Sequence, residues 1–128
     1  MKKVFLFGFI ALLLSCQDGQ QGPSQVVRTT FQAALDGDRE AFFNCYLAED
    51  QQKLKLAIGL STGSGWVPKN LLQLLQTNRI LSENIYGDYA AVSTEGRSGL
   101  EIFCLEKSPQ GWKLSLRTAA LPEGCDTR

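Results

Sequence analysis

The polar and apolar positions of this 128-residue chain change pattern four times along its length. Residues 4–14 form an unbroken apolar run behind Lys2 and Lys3. Residues 17–22 are polar and glycine-rich, the composition of a flexible tether. From Pro23 onward apolar residues recur at helical spacing. Val27, Phe31, Ala34 and Leu35 predict a first helix ending at Asp36, with Pro23 suited to its first turn and Ser24 as candidate cap. Gly37 supplies a C-terminal stop, and Asp38 an N-cap for a second helix over residues 39–47, whose apolar positions include Ala41, Phe42, Cys45 and Tyr46. Residues 51–58 fit either a continuing helix or a short strand. Residues 59–66 read as a glycine-serine loop, and Pro68 opens a third helix over 68–77 with Leu71, Leu72, Leu74 and Leu75.

After Asn78 the period changes from helical to two. Residues 80–85 and 89–94 flank Tyr86-Gly87-Asp88, a tight hairpin turn. Residues 100–107 and 112–118 flank Ser108-Pro109-Gln110-Gly111, a second hairpin. Pairing across that turn sets Leu105 beside Leu114 and Phe103 beside Leu116 on one face. It sets Cys104 beside Ser115 and Ile102 beside Arg117, with Cys104 on the opposite face. Helices followed by an antiparallel meander define an α+β fold with the helices on one face of the sheet.

The N-terminal run has the layout of a secretory signal: a short positive segment, an apolar stretch, then the small residue Ser15. Eleven apolar residues rise about 16 Å as a helix, against a hydrocarbon core of roughly 30 Å, so the run is too short to span a bilayer. With Cys16 directly after Ser15, Leu13-Leu14-Ser15-Cys16 resembles the lipobox of bacterial lipoproteins, with Leu14 a less common residue at its position. The resemblance implies cleavage between Ser15 and Cys16 and a lipid on the Cys16 thiol. It divides the chain into a signal peptide (residues 1–15), a lipidated cysteine and tether (16–22) and one domain (23–128). Asp18, not Gln17, is the acidic residue near Cys16, so the pattern of inner-membrane retention is absent. The expected location is the outer membrane of the cell envelope, facing the periplasm.

Charge and composition narrow the chemistry. The whole chain carries 13 basic and 13 acidic residues. Without Lys2 and Lys3 the remainder is slightly acidic, and no basic stripe of the kind that follows a phosphate backbone is present, so nucleic acid is not an expected partner. The chain has no histidine, which excludes Ser-His-Asp and Cys-His nucleophile pairs and histidine-containing zinc sites. The cluster Asp36-Gly37-Asp38-Arg39-Glu40 lacks the remaining ligands of a calcium loop and is read as helix capping. The glycines of residues 59–65 are not followed by Lys-Ser/Thr, which argues against a phosphate cradle. Neither a metal nor a cofactor is implied. In an exported chain, Cys45, Cys104 and Cys125 make one disulfide and one leftover thiol. The tail, turning at Pro122 and Gly124, is placed to fold back over Cys104, so Cys104–Cys125 is the expected bridge and Cys45 the buried free thiol. Cys45–Cys104 and Cys45–Cys125 remain open alternatives.

Two stretches resemble the cystatin-like, nuclear-transport-factor-two-like superfamily. One is Val26-Val27 with Phe31-Gln32-Ala33-Ala34-Leu35-Asp36-Gly37-Asp38; the other is Gly87-Asp88-Tyr89-Ala90-Ala91-Val92 followed by Gly111-Trp112-Lys113-Leu114. The resemblance implies a curved four-stranded sheet wrapped around the helices and enclosing a cone-shaped cavity. Its motifs are turns and core positions, which specify a fold and leave activity open. Tyr46, Trp66 and Phe103 are the candidate pocket residues: a tyrosine on the helix stripe, a large ring in a glycine-serine loop, and an inward-facing strand residue. Glu101 lies on the Phe103 face near the strand end, and Glu106 with Cys104 on the other face. No catalytic residue is assigned. The expected function is a non-catalytic domain holding a small apolar ligand or an envelope protein, with a homodimer as a further arrangement. The alternative is an isomerase, dehydratase or hydrolase using a buried carboxylate and a tyrosine.

Overall fold

The computed structural model describes residues 21–62, 79–96 and 99–126. Three helices precede a four-stranded antiparallel sheet: α1 (Pro23–Asp36), α2 (Arg39–Asn44), α3 (Ala48–Thr62), β1 (Arg79–Tyr86), β2 (Tyr89–Gly96), β3 (Gly99–Ser108) and β4 (Gly111–Thr118). The strands lie in the order β1-β2-β3-β4, and a 3-10 turn, Pro122–Cys125, closes the tail. The α+β reading holds. The predicted third helix and Trp66 lie outside the described residues.

Helix α1 starts at Pro23 as its ring favours, but Ser24 does not cap it. The N-cap is Gly22, which offers no side chain, and Glu83 of β1 accepts from the Ser24 backbone N–H at 2.9 Å. A carboxylate from a strand 59 residues away thus performs the work of a local cap at the positive end of the helix dipole. At the other end Gly37 takes φ +73°, a left-handed conformation that glycine adopts without a Cβ clash, and its neighbour Asp38 caps α2 by accepting from Ala41 N at 3.2 Å. The buried face of α1 is rotated from the predicted stripe. Val26, Val27, Thr30, Ala33 and Ala34 are buried, Phe31 is half-buried, and Leu35 is exposed. Thr30 can join this face because its hydroxyl donates to Val26 O at 2.7 Å, so burial leaves no polar group unsatisfied.

The second helix ends at Asn44, three residues before the predicted limit. Residues 45–47 leave it to pair with the outer edge of β4. Leu114 N donates to Cys45 O at 2.7 Å and Leu47 N to Leu114 O at 2.8 Å, a parallel bridge centred on Tyr46. Two strong backbone bonds to a sheet edge that no other strand covers among the described residues outweigh one more helical turn. Helix α3 resolves the ambiguity of residues 51–58 in favour of helix and runs on to Thr62, through the first part of the predicted loop. Leu54, Leu56 and Ile58 alternate at period two, which is why the pattern resembled a strand. In the fold Leu54 is half-buried, Leu56 exposed and Ile58 buried.

Three clusters hold the layers together. Val26 and Val27 of α1 pack on Val92, Leu105 and Leu114 of the sheet, with Cys45 and Trp112 alongside. Phe42, Phe43 and Ile58 join the three helices. On the opposite sheet face, Ala91, Ile102, Cys104 and Cys125 form a small cluster under the tail. The Cys104–Cys125 disulfide is present there as expected, closing a sequence separation of 21 residues. Cys45 corrects the reading of the thiols. It is fully buried but disulfide-bonded, so it is not a free thiol, and its partner lies outside the described residues.

Candidate functional site

The two hairpins form where the turn residues place them, with Gly87 and Gly111 both at positive φ. The first departs from a regular ladder only at Leu81, an extra residue in β1 between the Ile80–Thr94 and Ser82–Ser93 pairs. In the second, Leu105 pairs with Leu114 as predicted, but the register then slips. Phe103 pairs with Thr118, not Leu116, so Ser115, Leu116 and Arg117 of β4 face the single residue Cys104 of β3. Cys104–Ser115 and Ile102–Arg117 pairs are therefore not formed. Two side chains redirect the displaced backbone: Asp50 of α3 accepts from Leu116 N at 3.1 Å, and Ser115 Oγ accepts from Arg117 N at 3.1 Å. The bulge pulls β4 away from β3 and toward α3.

A cleft of about 410 Å³ opens at this split. Phe103 and Ile102 of β3, Leu116 and Arg117 of β4, Ala119 of the tail and Tyr46 of the bridging segment line it. Two of the three candidate pocket residues, Tyr46 and Phe103, thus share one cavity; Trp66 lies outside the described residues. Phe103 is braced by Phe31 of α1, edge to face with ring centroids 5.7 Å apart. Tyr46 tilts against Phe42 at 5.6 Å. Burial pushes the Tyr46 phenol pKa up to about 12. At neutral pH it is a hydrogen-bond donor that does not ionise. Its hydroxyl has no hydrogen-bond partner among the described residues.

The charged residues of the cleft are placed differently from an acid–base pair. Glu101 lines the rim but is exposed. Arg117 donates from Nη2 to Cys125 O at 3.0 Å and lies over the Tyr89 ring at 5.8 Å, so it pins the tail that forms one wall. Glu106, on the other sheet face, is half-buried and sits opposite Lys113 in the ladder. Lys113 is itself buried. Its ammonium donates to Asn44 O at 2.6 Å, at the negative end of α2, while desolvation lowers its pKa. Among the described residues no group of three Cys, Asp or Glu is arranged to hold a metal ion. No helix among them is long and apolar enough to cross a membrane.

Sequence reasoning missed Asp50, Ser115 and Arg117 as the residues that shape the cleft. No local signal identifies them, because each acts only after β4 has met α3 or the tail. Fold and site together define an α+β open-sheet domain with an apolar cleft at the split of its last hairpin. Comparison of the chain with protein-family models, curated proteins and solved structures finds no match.

Proposed function

We propose that this protein is a membrane-anchored, non-catalytic binding domain of the bacterial cell envelope, facing the periplasm. In this reading its cleft takes a small apolar ligand bearing one hydrogen-bond acceptor. Tyr46 carries the reading: among the described residues its hydroxyl makes no hydrogen bond, and Tyr46 lines, together with Phe103, Ile102 and Leu116, a cavity large enough for a small molecule. A ligand carbonyl or carboxylate gives that hydroxyl a hydrogen bond with a net contribution of about 0.5–1.5 kcal/mol. The alternative of acid–base catalysis needs a carboxylate held in apolar surroundings next to the tyrosine. Glu101 is the carboxylate nearest in the lining, and its exposure favours the binding role. The α+β order with an antiparallel meander is compatible with a cystatin-like cone, and we place the chain in that superfamily as part of the proposal.

The anchor is the lipidated Cys16, with Ser15 the last residue removed. Membrane attachment follows from acyl-chain burial at about 0.8 kcal/mol per methylene, with two or more chains needed for stable retention. Lipidation converts the Cys16 sulfur to a thioether and withdraws it from any disulfide. Because the chain has four cysteines and Cys104 and Cys125 bond each other, the anchor requires Cys45 to be a free thiol in the lipidated protein, and the bonded Cys45 described above counts against the anchor. Native mass spectrometry of the chain purified from an oxidising compartment checks both halves of the proposal. The expected result is an acylated chain beginning at Cys16, with an adduct of small-molecule mass that Tyr46→Phe weakens. An unacylated chain with Cys45 in an intramolecular bridge overturns the anchor, and a chain that carries no adduct under any extraction overturns the ligand.

A further inference from the structure

Tyr46 is not the only hydroxyl on the lining of the cleft. Ser115 of β4 lines it too, and it is buried. Its Oγ already accepts from Arg117 N at 3.1 Å, and among the described residues its proton goes to no acceptor. Both side chains therefore bring to one cavity a donor that the fold does not use. The rest of the lining is largely hydrocarbon, with Ile102, Phe103, Leu116 and Ala119 around the split and Leu100 beside them.

The charges around the cleft decide what kind of acceptor suits these donors. Asp50 is buried and holds the backbone N–H of the lining residue Leu116 at 3.1 Å, and Glu101 stands exposed on the lining itself. Arg117 is the cation of the described lining, but its guanidinium is turned to Cys125 O and the Tyr89 ring. A carboxylate entering here meets two like charges, one of them with little water between to screen it. It also gives up its own hydration without a dedicated ion-pair partner. An uncharged carbonyl avoids both costs, and its oxygen has two lone pairs for two donors.

We infer that the cleft selects an uncharged acyl ester over the corresponding free acid. The ester carbonyl accepts from the Tyr46 and Ser115 hydroxyls, and the acyl chain lies against Ile102, Phe103 and Leu116. An ester supplies acceptors only, which matches a lining whose unused groups are donors, whereas an amide brings an N–H of its own. Asp50, which bends β4 to open the cleft, also repels the carboxylate form. The inference rests on the binding reading above and narrows its ligand from any hydrogen-bond acceptor to a neutral carbonyl.

The test uses the full chain in nanodiscs of ether-linked phosphatidylcholine, which bring no ester of their own. Methyl octanoate bearing a photoreactive diazirine is crosslinked to Phe103 or Leu116, and methyl octanoate, octanoate and nonane compete for its capture. Methyl octanoate should compete about tenfold better than octanoate. Tyr46→Phe and Ser115→Ala should each weaken methyl octanoate by about two- to tenfold, the loss of one hydrogen bond, and leave nonane unchanged. Ser115→Thr keeps the hydroxyl and should behave as the parent, which separates the donor from any slackening of β4. Asp50→Asn keeps an acceptor for Leu116 N but removes the charge, so it should narrow the preference for ester over acid. Octanoate competing as well as the ester overturns this inference and preserves the binding reading. An ester indifferent to the loss of both hydroxyls does the same. No capture at the cleft, by ester or hydrocarbon, overturns the inference and the binding reading together. In ester-linked nanodiscs, weakened capture marks bilayer lipid as the source of the ester, and unchanged capture marks a free one.

Discussion

At the scale of single residues, Tyr46 shows how one side chain is given its chemistry by its surroundings. It ends a helical apolar pattern, then bridges to β4 through its own backbone segment, so its side chain packs on the core and also lines the cleft. Its raised pKa has a definite consequence for stability. In the unfolded chain the phenol ionises near pH 10, but in the fold it holds its proton until about 12. Its contribution is therefore fully present below pH 10 and is lost as pH rises toward 12. Urea denaturation repeated at rising alkaline pH should show a decline on the order of 2 kcal/mol that Tyr46→Phe removes. An identical decline in the variant would mean that other groups cause it. Tyr46 and Phe103 were legible in the sequence, since both carry a periodic apolar signal. The rotation of the α1 face was less so, because Thr30 counts as polar until its hydroxyl finds Val26 O.

Among the elements, β4 departs most from expectation. Its first half follows the turn: Gly111 and the Leu105–Leu114 pair stand where the hairpin geometry puts them. Its second half follows Asp50, a buried carboxylate on α3 that accepts from Leu116 N across 66 residues of sequence. Asp50→Ala should destabilise the domain by about 1–3 kcal/mol. Asp50→Asn keeps an acceptor and should recover much of that loss. The comparison is read from urea midpoints at constant m, and equal costs for both variants would show that the Leu116 bond is unimportant. A one-for-one hairpin is the natural reading of two alternating strands, and nothing in residues 112–118 announces the extra two. The same holds for the short α2, ended by backbone bonds to β4, and for the cap of α1, supplied by the Glu83 carboxylate of β1.

For the whole molecule, the tail and its disulfide close the face of the sheet away from the helices. Cys104–Cys125 pins the 3-10 turn over Ala91 and Ile102, and the same tail supplies Ala119 to the cleft. Closing a loop of this length restricts the unfolded chain by about 3 kcal/mol. The Cys104→Ala/Cys125→Ala variant should lose about that much in thermal or urea unfolding. It should also become open to limited proteolysis within residues 119–126; if the tail remains protected, Arg117 and not the disulfide holds it. By itself the sequence determined the first two helices and the four strands in their order, the hairpin turns, the capping of α2 by Asp38 and two cleft residues, and it favoured the Cys104–Cys125 pairing while leaving two others open. Each of these rests on local periodicity, on the backbone preferences of glycine and proline, or on a tail short enough to turn back on one strand. The tertiary structure alone decided the slipped register of β4, the bridge of residues 45–47 to its edge, the bonded state of Cys45 and the cleft itself. These depend on hydrogen bonds between groups far apart in sequence, whose strength exists only once packing has removed water and brought them within reach.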